Sequence, residues 1–266
     1  MLEQAIDFRE ESEALYKIIE PISEDAYDQK TQFKDWTIND VLAHLHMWNW
    51  AADHGLKDPD KFDQFLNTLI TEMATNTLRQ FETKWLDGLK GKKLLQEWRT
   101  YFTEMAGRFE PADPKKRVKW AGPDMSVKSS ISARLMETWA HGQEIFDHLG
   151  VVRENKDRIK NIAVLGMNTF GWTFKNRGID APSDKPYVKL TAPSGEIWEW
   201  EDPSADNFVE GQAEDFCQVV TQVRNIGDTS LKVVGETATK WMSIAQCFAG
   251  GPEDPPAPGV RFTRKT

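Results

Sequence analysis

The chain has 266 residues, 39% of them hydrophobic and 28% charged, which is ordinary for a globular protein and sufficient for one large domain or two modest ones. Its formal net charge of −9 argues against nucleic-acid binding, because contact with a phosphate backbone needs a basic face. The longest apolar stretch, residues 161–174, is shorter than the roughly 18–20 residues that span a bilayer, and no signal-peptide pattern begins the chain, so we expect a cytoplasmic protein.

The first two-thirds of the chain has helical periodicity. Apolar residues recur at spacings of three and four from Leu2 to Ile19, and Pro21 ends this first pattern. A second helix is predicted to begin at Thr37, because Thr37 and Asp40 form a capping-box pattern that satisfies first-turn N–H groups. Further helical patterns cover residues 62–70, 78–89 and 94–109.

A turn or short hairpin is predicted over residues 118–123, before a long helix. That helix begins near Ser129 or Ser130 and ends at Gly150, a residue suited to the left-handed position after a helix. A last helical pattern covers residues 159–174.

Composition changes after this last pattern. Residues 178–186 hold two prolines, one glycine, two aspartates and one serine, which is typical of a linker. Strand patterns follow at residues 187–191, 197–200 and 231–234, helical patterns at 213–223 and 237–248, and a Pro- and Gly-rich tail at 250–259. We therefore predict an α+β chain in which a helical bundle, residues 1–180, precedes a small α+β domain, residues 181–266.

Standard catalytic signatures are absent from the sequence, including the P-loop, G-x-G-x-x-G, G-x-S-x-G and H-E-x-x-H. No Glu-x-x-His occurs either, which argues against a di-iron carboxylate bundle. The remaining chemical candidates are the five histidines, His44, His46, His54, His141 and His148.

Two Glu-x-x-x-His pairs lie on the long helix, Glu137 with His141 and Glu144 with His148. A spacing of four places the members of each pair on one helical face, roughly 5–6 Å apart at Cβ, close enough to share a metal. Spacing does not select one of the two pairs. Polar residues on the flank of a helix would show the same four-residue spacing without binding a metal. His148 has a structural explanation, because a helix end favours a cationic imidazole, whereas Glu137 and His141 lie in mid-helix.

A third ligand must come from another element. His44 and His46 are two residues apart, so they point to nearly opposite sides of their helix and cannot both join one site. Both flank the apolar stripe, and periodicity does not choose between them. His54, near the end of that helix beside Gly55, is expected to face solvent.

Residues 36–45, WTINDVLAHL, resemble the second-helix motif of the DinB-like superfamily, in particular the metal-binding domain of mycothiol-dependent maleylpyruvate isomerases. Residues 120–125 and 133–142 are similar to an uncharacterised branch of that family, whose members are usually described only as metal-binding proteins. The same holds for residues 211–216 and 245–250. The resemblance covers nearly the whole chain and implies a DinB-like four-helix bundle as the N-terminal domain.

Through these motifs, the resemblance implies that His44, Glu137 and His141 are metal ligands. Two imidazoles and a carboxylate leave one coordination position open, which is typical of a catalytic Zn²⁺ site, and the same donors also suit Fe or Ni. The resemblance further implies a thiol-dependent isomerase or transferase, in which a low-molecular-weight thiol adds to a conjugated double bond and is later expelled. The identity of the thiol stays open.

Three further residues are candidates for binding a small, carboxylated substrate. Arg134 either pairs with Glu137 or anchors a substrate carboxylate, for which its guanidinium fork is well shaped. Trp120 either lines the mouth of the site or packs within a hairpin, and Arg224 is another candidate anchor. No residue is assigned a catalytic role, and no nucleic acid or membrane is expected as a partner.

Two other functions remain as alternatives to the isomerase or transferase. One is a metal-stabilised protein that binds a small ligand without turnover, and the other is a metal-dependent hydrolase. A homodimer is a further candidate assembly.

Overall fold

A computed structural model describes residues 1–265 of the chain. The chain divides into two compact units, Met1–Ile145 and Phe146–Thr266. Within the described residues, no helix combines the length and the apolar character needed to cross a bilayer. The predicted fold class is confirmed: helices dominate the first unit, and a small mixed sheet with helices forms the second.

Long helices make up the first unit. They are α1 (Glu3–Ile19), α2 (Ile38–Lys57), α3 (Pro59–Glu72), α4 (Leu78–Trp85), α5 (Gly91–Phe109) and α6 (Val127–Leu149), the last of which continues into the second unit. The longest four, α1, α2, α5 and α6, are the helices of the predicted bundle. A short antiparallel hairpin of β1 (Arg117–Val118) and β2 (Met125–Ser126) precedes α6, as predicted.

The capping box predicts the start of α2 correctly. The Thr37 hydroxyl accepts a hydrogen bond from the Asp40 N–H at 3.0 Å, and the Asp40 carboxylate accepts one from the Thr37 N–H at 2.8 Å. Val41, Leu42 and Leu45 are fully buried along the following turns. This apolar stripe fixes the rotation of α2 about its axis, which leaves His44 on the flank of the stripe.

An aromatic core joins α2 to α3 and α4. Its buried members are Met47, Ala51, Phe62, Phe65, Leu69 and Phe81, and Trp48, Trp50, Trp85 and Trp120 pack against it while staying partly exposed. Each of these four residues adds a large apolar surface to the core.

A buried carboxylate ties α2 to α5. Asp53 is fully buried and accepts two hydrogen bonds of 2.8 Å from the guanidinium fork of Arg108. The Tyr101 hydroxyl donates to the same carboxylate at 2.8 Å, and the Lys57 ammonium at 2.6 Å. Bidentate pairing of this kind compensates the loss of hydration that burial of a carboxylate entails.

A close backbone approach gives a first testable prediction. A Cβ atom on Gly55, in the last turns of α2, would lie 2.5 Å from the carbonyl oxygen of Lys119, beside the β1–β2 hairpin. We expect Gly55→Ala to lower the free energy of unfolding by about 1–3 kcal/mol, as measured in urea, because backbone has to move. Gly107→Ala on α5 is the matched control, since a Cβ there meets nothing, and it should stabilise by about 0.5–1 kcal/mol. Equal effects of the two substitutions would contradict the prediction.

The second unit contains a mixed sheet in the strand order β4–β3–β5–β6. The strands are β3 (Tyr187–Thr191), β4 (Ile197–Trp200), β5 (Phe208–Gln212) and β6 (Lys232–Val234), and the helices are α7 (Lys160–Asn168), α8 (Phe170–Lys175), α9 (Ala213–Val220) and α10 (Glu236–Ile244). β3 pairs antiparallel with β4 and parallel with β5. The sequence predicts three of these strands but not β5, because Val209 is its one fully buried apolar residue and Gly211 interrupts the pattern.

The helices α7 and α8 lie in the second unit, whereas the sequence assigns them to the bundle. The Phe170 ring of α8 contacts the Trp241 ring of α10 at 5.1 Å, and the Thr173 hydroxyl donates to the Gln246 carbonyl. The units therefore divide at residues 145 and 146, before the predicted boundary at residue 180. Whether residues 1–180 fold alone stays a prediction that a truncated chain would test.

The predicted tail is held in place by the second unit. The side-chain amide of Gln222 donates to the Glu253 carbonyl at 2.7 Å, and that of Asn225 donates to the Pro256 carbonyl at 2.9 Å. The Pro- and Gly-rich composition predicts a tail, and residues 250–259 contain no helix or strand. The composition does not reveal that carbonyl groups of the segment serve as hydrogen-bond acceptors.

Candidate metal centre

The structure brings His44 of α2 together with Glu137 and His141 of α6. Nε2 of His44 lies 3.5 Å from Oε2 of Glu137, and Nε2 of His141 lies 3.3 Å from the same oxygen. One potential ligand atom from each residue lies within 4.8 Å of the others. The four-residue spacing explains why the two α6 side chains meet, and the capped, stripe-oriented α2 explains why His44 faces them.

Aromatic rings surround the two imidazoles. The Trp36 ring lies parallel to the His141 ring, with centroids 5.4 Å apart, and the Phe33 ring meets His141 edge-on at 5.2 Å. The ring centroids of Trp48 and His44 lie 6.2 Å apart. The side chains of His44, His141 and Glu137 nevertheless retain exposed fractions of 12%, 15% and 21%, so the cluster is not sealed from solvent.

Glu82 also contacts this cluster, although it is not among the site residues predicted from the sequence. Its Oε1 lies 2.7 Å from Nδ1 of His44. A capping box at Thr77 and Gln80 begins α4 and holds Glu82 in position on that helix. One signal was available: Leu78, Phe81, Glu82 and Trp85 share one helical face, so an acidic residue interrupts an apolar stripe.

Electrostatics within the cluster favour positive charge on His44. Burial disfavours that charge, but the carboxylates of Glu82 and Glu137 outweigh it and raise the pKa of His44 to about 9. Burial also opposes ionisation of Glu137, yet hydrogen bonds from both imidazoles hold the pKa of Glu137 well below its ordinary value. Burial, together with the charge on His44, lowers the pKa of His141.

The donor set fits a divalent metal ion. Two imidazole nitrogens and one carboxylate oxygen converge, and they are the ligand types found in catalytic zinc sites with an open position. Because Nδ1 of His44 is engaged by Glu82, Nε2 of His44 is the nitrogen that faces Glu137. The carboxylates of Glu82 and Glu137 provide the negative charge that a cation requires.

Arg134 lies one turn before Glu137 on α6 and is 2% exposed. Its Nε donates to Oδ1 of Asn49 at 3.0 Å, while its Nη2 is buried and has no hydrogen-bond partner among residues 1–265. Burial lowers the pKa of Arg134 to about 10, and the charge of Glu137 acts in the opposite direction. Arg134 therefore supplies a positive charge beside the cluster, and its guanidinium is oriented by Asn49.

Trp120 and Arg224, the other substrate-binding candidates, have structural partners. The Trp120 ring packs on Trp48 at 5.4 Å, so one aromatic ring separates it from His44. Arg224 lies in the second unit, where its Nη2 donates to Oδ1 of Asp147 at 2.7 Å. These contacts account for the positions of both side chains, and their roles toward a substrate stay predictions.

The remaining histidines lie outside the cluster. His46 is buried between the rings of Trp85 and Tyr101, and burial lowers its pKa to about 4. The expectation that His54 faces solvent is wrong. The His54 ring stacks on Trp50 with centroids 3.9 Å apart, and its Nδ1 bonds to the Trp50 carbonyl, because α2 continues past it to Lys57. His148 is buried near the end of α6.

Comparison with known proteins places these residues in a family context. The sequence model of the mycothiol maleylpyruvate isomerase N-terminal domain matches residues 8–146. Two proteins from two strains of Mycobacterium tuberculosis, both described as uncharacterized, are 34% identical over 248 residues, which cover 92% of this chain and 95% of each relative.

Solved structures show the same fold at low sequence identity. The crystal structure of the mycothiol-dependent maleylpyruvate isomerase matches with a TM-score of 0.55 and 13% identity, covering 86% of this chain and 91% of that chain. A histidine-to-alanine mutant of that enzyme matches with a TM-score of 0.52 and 13% identity, covering 82% and 87%.

Proposed function

Because this chain belongs to the mycothiol maleylpyruvate isomerase N-terminal domain family, we propose that it is a metal-dependent enzyme that uses a low-molecular-weight thiol. The reaction is the isomerisation of a small carboxylated substrate or the transfer of a group to it. The convergence of ligand atoms from His44, Glu137 and His141 within 4.8 Å carries the proposal. The solved neighbours, named as mycothiol-dependent isomerases, support the use of a thiol.

In this proposal each residue of the cluster has a distinct task. His44, Glu137 and His141 hold the ion, with Zn²⁺ as the best-suited metal. When bound, such a metal lowers the pKa of a coordinated thiol or water and so provides a nucleophile at neutral pH. The partly exposed rings of Trp36 and Phe33, which contact His141, limit the access of bulk water to the cluster.

Arg134 supplies specificity for an anionic substrate. Its charge is buried beside Glu137, and its Nη2 has no hydrogen-bond partner among residues 1–265. A guanidinium group that is shielded from water binds a carboxylate in preference to a neutral group. A substrate that carries a carboxylate near its reactive carbon is therefore the best match to this site.

Turnover separates this proposal from its alternatives. Metal-loaded protein, with each of several low-molecular-weight thiols, is mixed with unsaturated carboxylic acids, and double-bond isomerisation or thioether formation is followed by absorbance and mass. We expect product only when both thiol and metal are present. Ester or amide hydrolysis without thiol would favour a hydrolase, whereas metal-dependent ligand binding without product would favour a binding protein.

Metal removal gives a prediction for stability. A ligand that binds only the folded state adds about 2.7 kcal/mol at a hundredfold excess over its dissociation constant. We expect a chelator to lower the melting temperature and Zn²⁺ to restore it. The matched control is Glu137→Ala, whose melting temperature should not respond to either reagent. Superimposable melting curves for chelated and Zn²⁺-loaded wild-type protein would argue strongly against the centre.

A further inference from the structure

Glu82 is buried at a position where burial is costly. Its side chain is 1% exposed, and Oε1 contacts Nδ1 of His44 at 2.7 Å. Its other oxygen, Oε2, is buried without a hydrogen-bond partner in the described part of the chain. Removing a carboxylate from water is unfavourable unless its partners compensate fully, and a leucine in the apolar stripe of α4 would avoid this cost. The retained carboxylate therefore indicates a task that an apolar side chain cannot perform.

That task follows from the two nitrogens of an imidazole. A neutral imidazole carries its proton on one nitrogen and a lone pair on the other, and only the lone pair can bind a metal. A carboxylate accepts hydrogen bonds, so the contact with Glu82 places the proton of neutral His44 on Nδ1. The lone pair then lies on Nε2, the atom that is 3.5 Å from Oε2 of Glu137.

We infer that Glu82 is a positioning residue of the metal centre, which fixes the tautomer and ring orientation of His44 and thereby strengthens metal binding. This inference rests on the proposed function. A hydrogen bond of this kind, donated by the second ring N–H of a histidine ligand to a carboxylate, orients the ring and raises its basicity as a ligand. Glu82 itself supplies no ligand atom to the metal.

The two histidines of the centre differ in the hydrogen bond at Nδ1. Glu82 contacts Nδ1 of His44, whereas no hydrogen bond to Nδ1 of His141 is present among residues 1–265. The Trp36 ring contacts both imidazoles, edge-on at His44 with centroids 5.3 Å apart and parallel to within 2° at His141. The loss of Glu82 should therefore alter His44 and leave the packing that orients His141 intact.

Zn²⁺ and Co²⁺ titrations of full-length variants test the inference. Glu82→Leu should bind Zn²⁺ about 10–100-fold more weakly than the wild type and should show a changed Co²⁺ absorption spectrum. Glu82→Gln should lie between the two, because its amide oxygen still accepts a hydrogen bond from Nδ1. The metal-free melting temperature of Glu82→Leu should fall, since the substitution removes one partner of a buried pair and leaves His44 without it, so Zn²⁺ affinities are compared only between variants that fold.

Thr77→Ala is the matched control. It removes the cap of the same helix, α4, where the Thr77 side chain accepts a hydrogen bond from the Gln80 N–H. We expect it to lower the melting temperature while Zn²⁺ affinity stays unchanged. If Glu82→Leu does not fold, Glu82→Gln carries the comparison.

Two results would overturn the role of Glu82 while leaving the metal centre standing. One is equal Zn²⁺ affinity of the folded Glu82 variants and the wild type. The other is an equal loss of affinity in Thr77→Ala, which would show a general effect of α4. Failure of the wild-type protein to bind Zn²⁺ or Co²⁺ at all would overturn the proposed centre and the inference together.

Discussion

Replacement of His44, Glu137 or His141 by alanine is expected to abolish stoichiometric metal binding in each case. The three ligand atoms lie within 4.8 Å of one another, and two protein ligands are too few to hold a zinc ion tightly. Elemental analysis of purified variants measures the effect directly. Far-UV circular dichroism has to accompany it, because loss of a metal that links two helices can mimic unfolding.

His46→Ala and His148→Ala serve as controls that should retain metal. His46 lies between Trp85 and Tyr101, so its loss creates a cavity without touching the ligands. Retention of metal by His44→Ala combined with its loss from His46→Ala would contradict the assignment of the ligand on α2. Loss in His148→Ala alone would move the carboxylate ligand to Glu144.

Asp53→Ala is expected to cause the largest loss of stability outside the metal centre, about 3 kcal/mol in urea unfolding. The substitution leaves the guanidinium of Arg108 and the ammonium of Lys57 without their shared carboxylate. The value lies at the low end of the range for a broken buried pair, because both cations stay partly exposed to water. Glu104→Ala is the control: Glu104 is an exposed partner of the same Arg108 and should contribute at most about 1 kcal/mol.

The same carboxylate predicts a pH dependence of stability. Burial opposes its ionisation, but hydrogen bonds from Arg108, Lys57 and Tyr101 prevail and hold the pKa of Asp53 below its ordinary value of 3.8. The folded state therefore binds fewer protons than the unfolded state. The contribution is fully present above pH 3.8 and is lost as the pH falls through the lower pKa of the folded state. An identical acid-unfolding profile for the wild type and Asp53→Ala would contradict this prediction.

Local signals in the sequence predicted the elements that build the site. The capping box located the start of α2, because Thr37 and Asp40 satisfy the backbone within four residues of each other. The four-residue spacing identified Glu137 and His141 as neighbours on one face of α6. Such features depend on residues three or four apart, so they can be read from the sequence without knowledge of the tertiary fold.

The choice of His44 over His46 depends on tertiary structure. Both residues flank the same apolar stripe, so periodicity treats them alike. In the fold one imidazole meets the carboxylates of Glu82 and Glu137, and the other meets aromatic rings. A family resemblance supplied the choice because it summarises contacts that no local pattern contains.

Other features were missed for similar reasons. Glu82 could have been noticed as an acid within an apolar stripe, but its partner lies on a different helix. The placement of α7 and α8 depends on contacts between residues far apart in sequence, such as that of Phe170 with Trp241. Helical periodicity predicts that a helix exists and leaves open which core it joins.

Assembly of the site from distant parts of the chain has a kinetic consequence. The contact between His44 and Glu82 spans 38 residues, and that between Asn49 and Arg134 spans 85. Such long-range contacts form late, because the intervening chain must first be closed into a loop. A metal bound there should therefore slow the unfolding rate and leave the folding rate nearly unchanged. In a cell, this would extend the lifetime of the folded protein against proteases more than it would hasten its maturation.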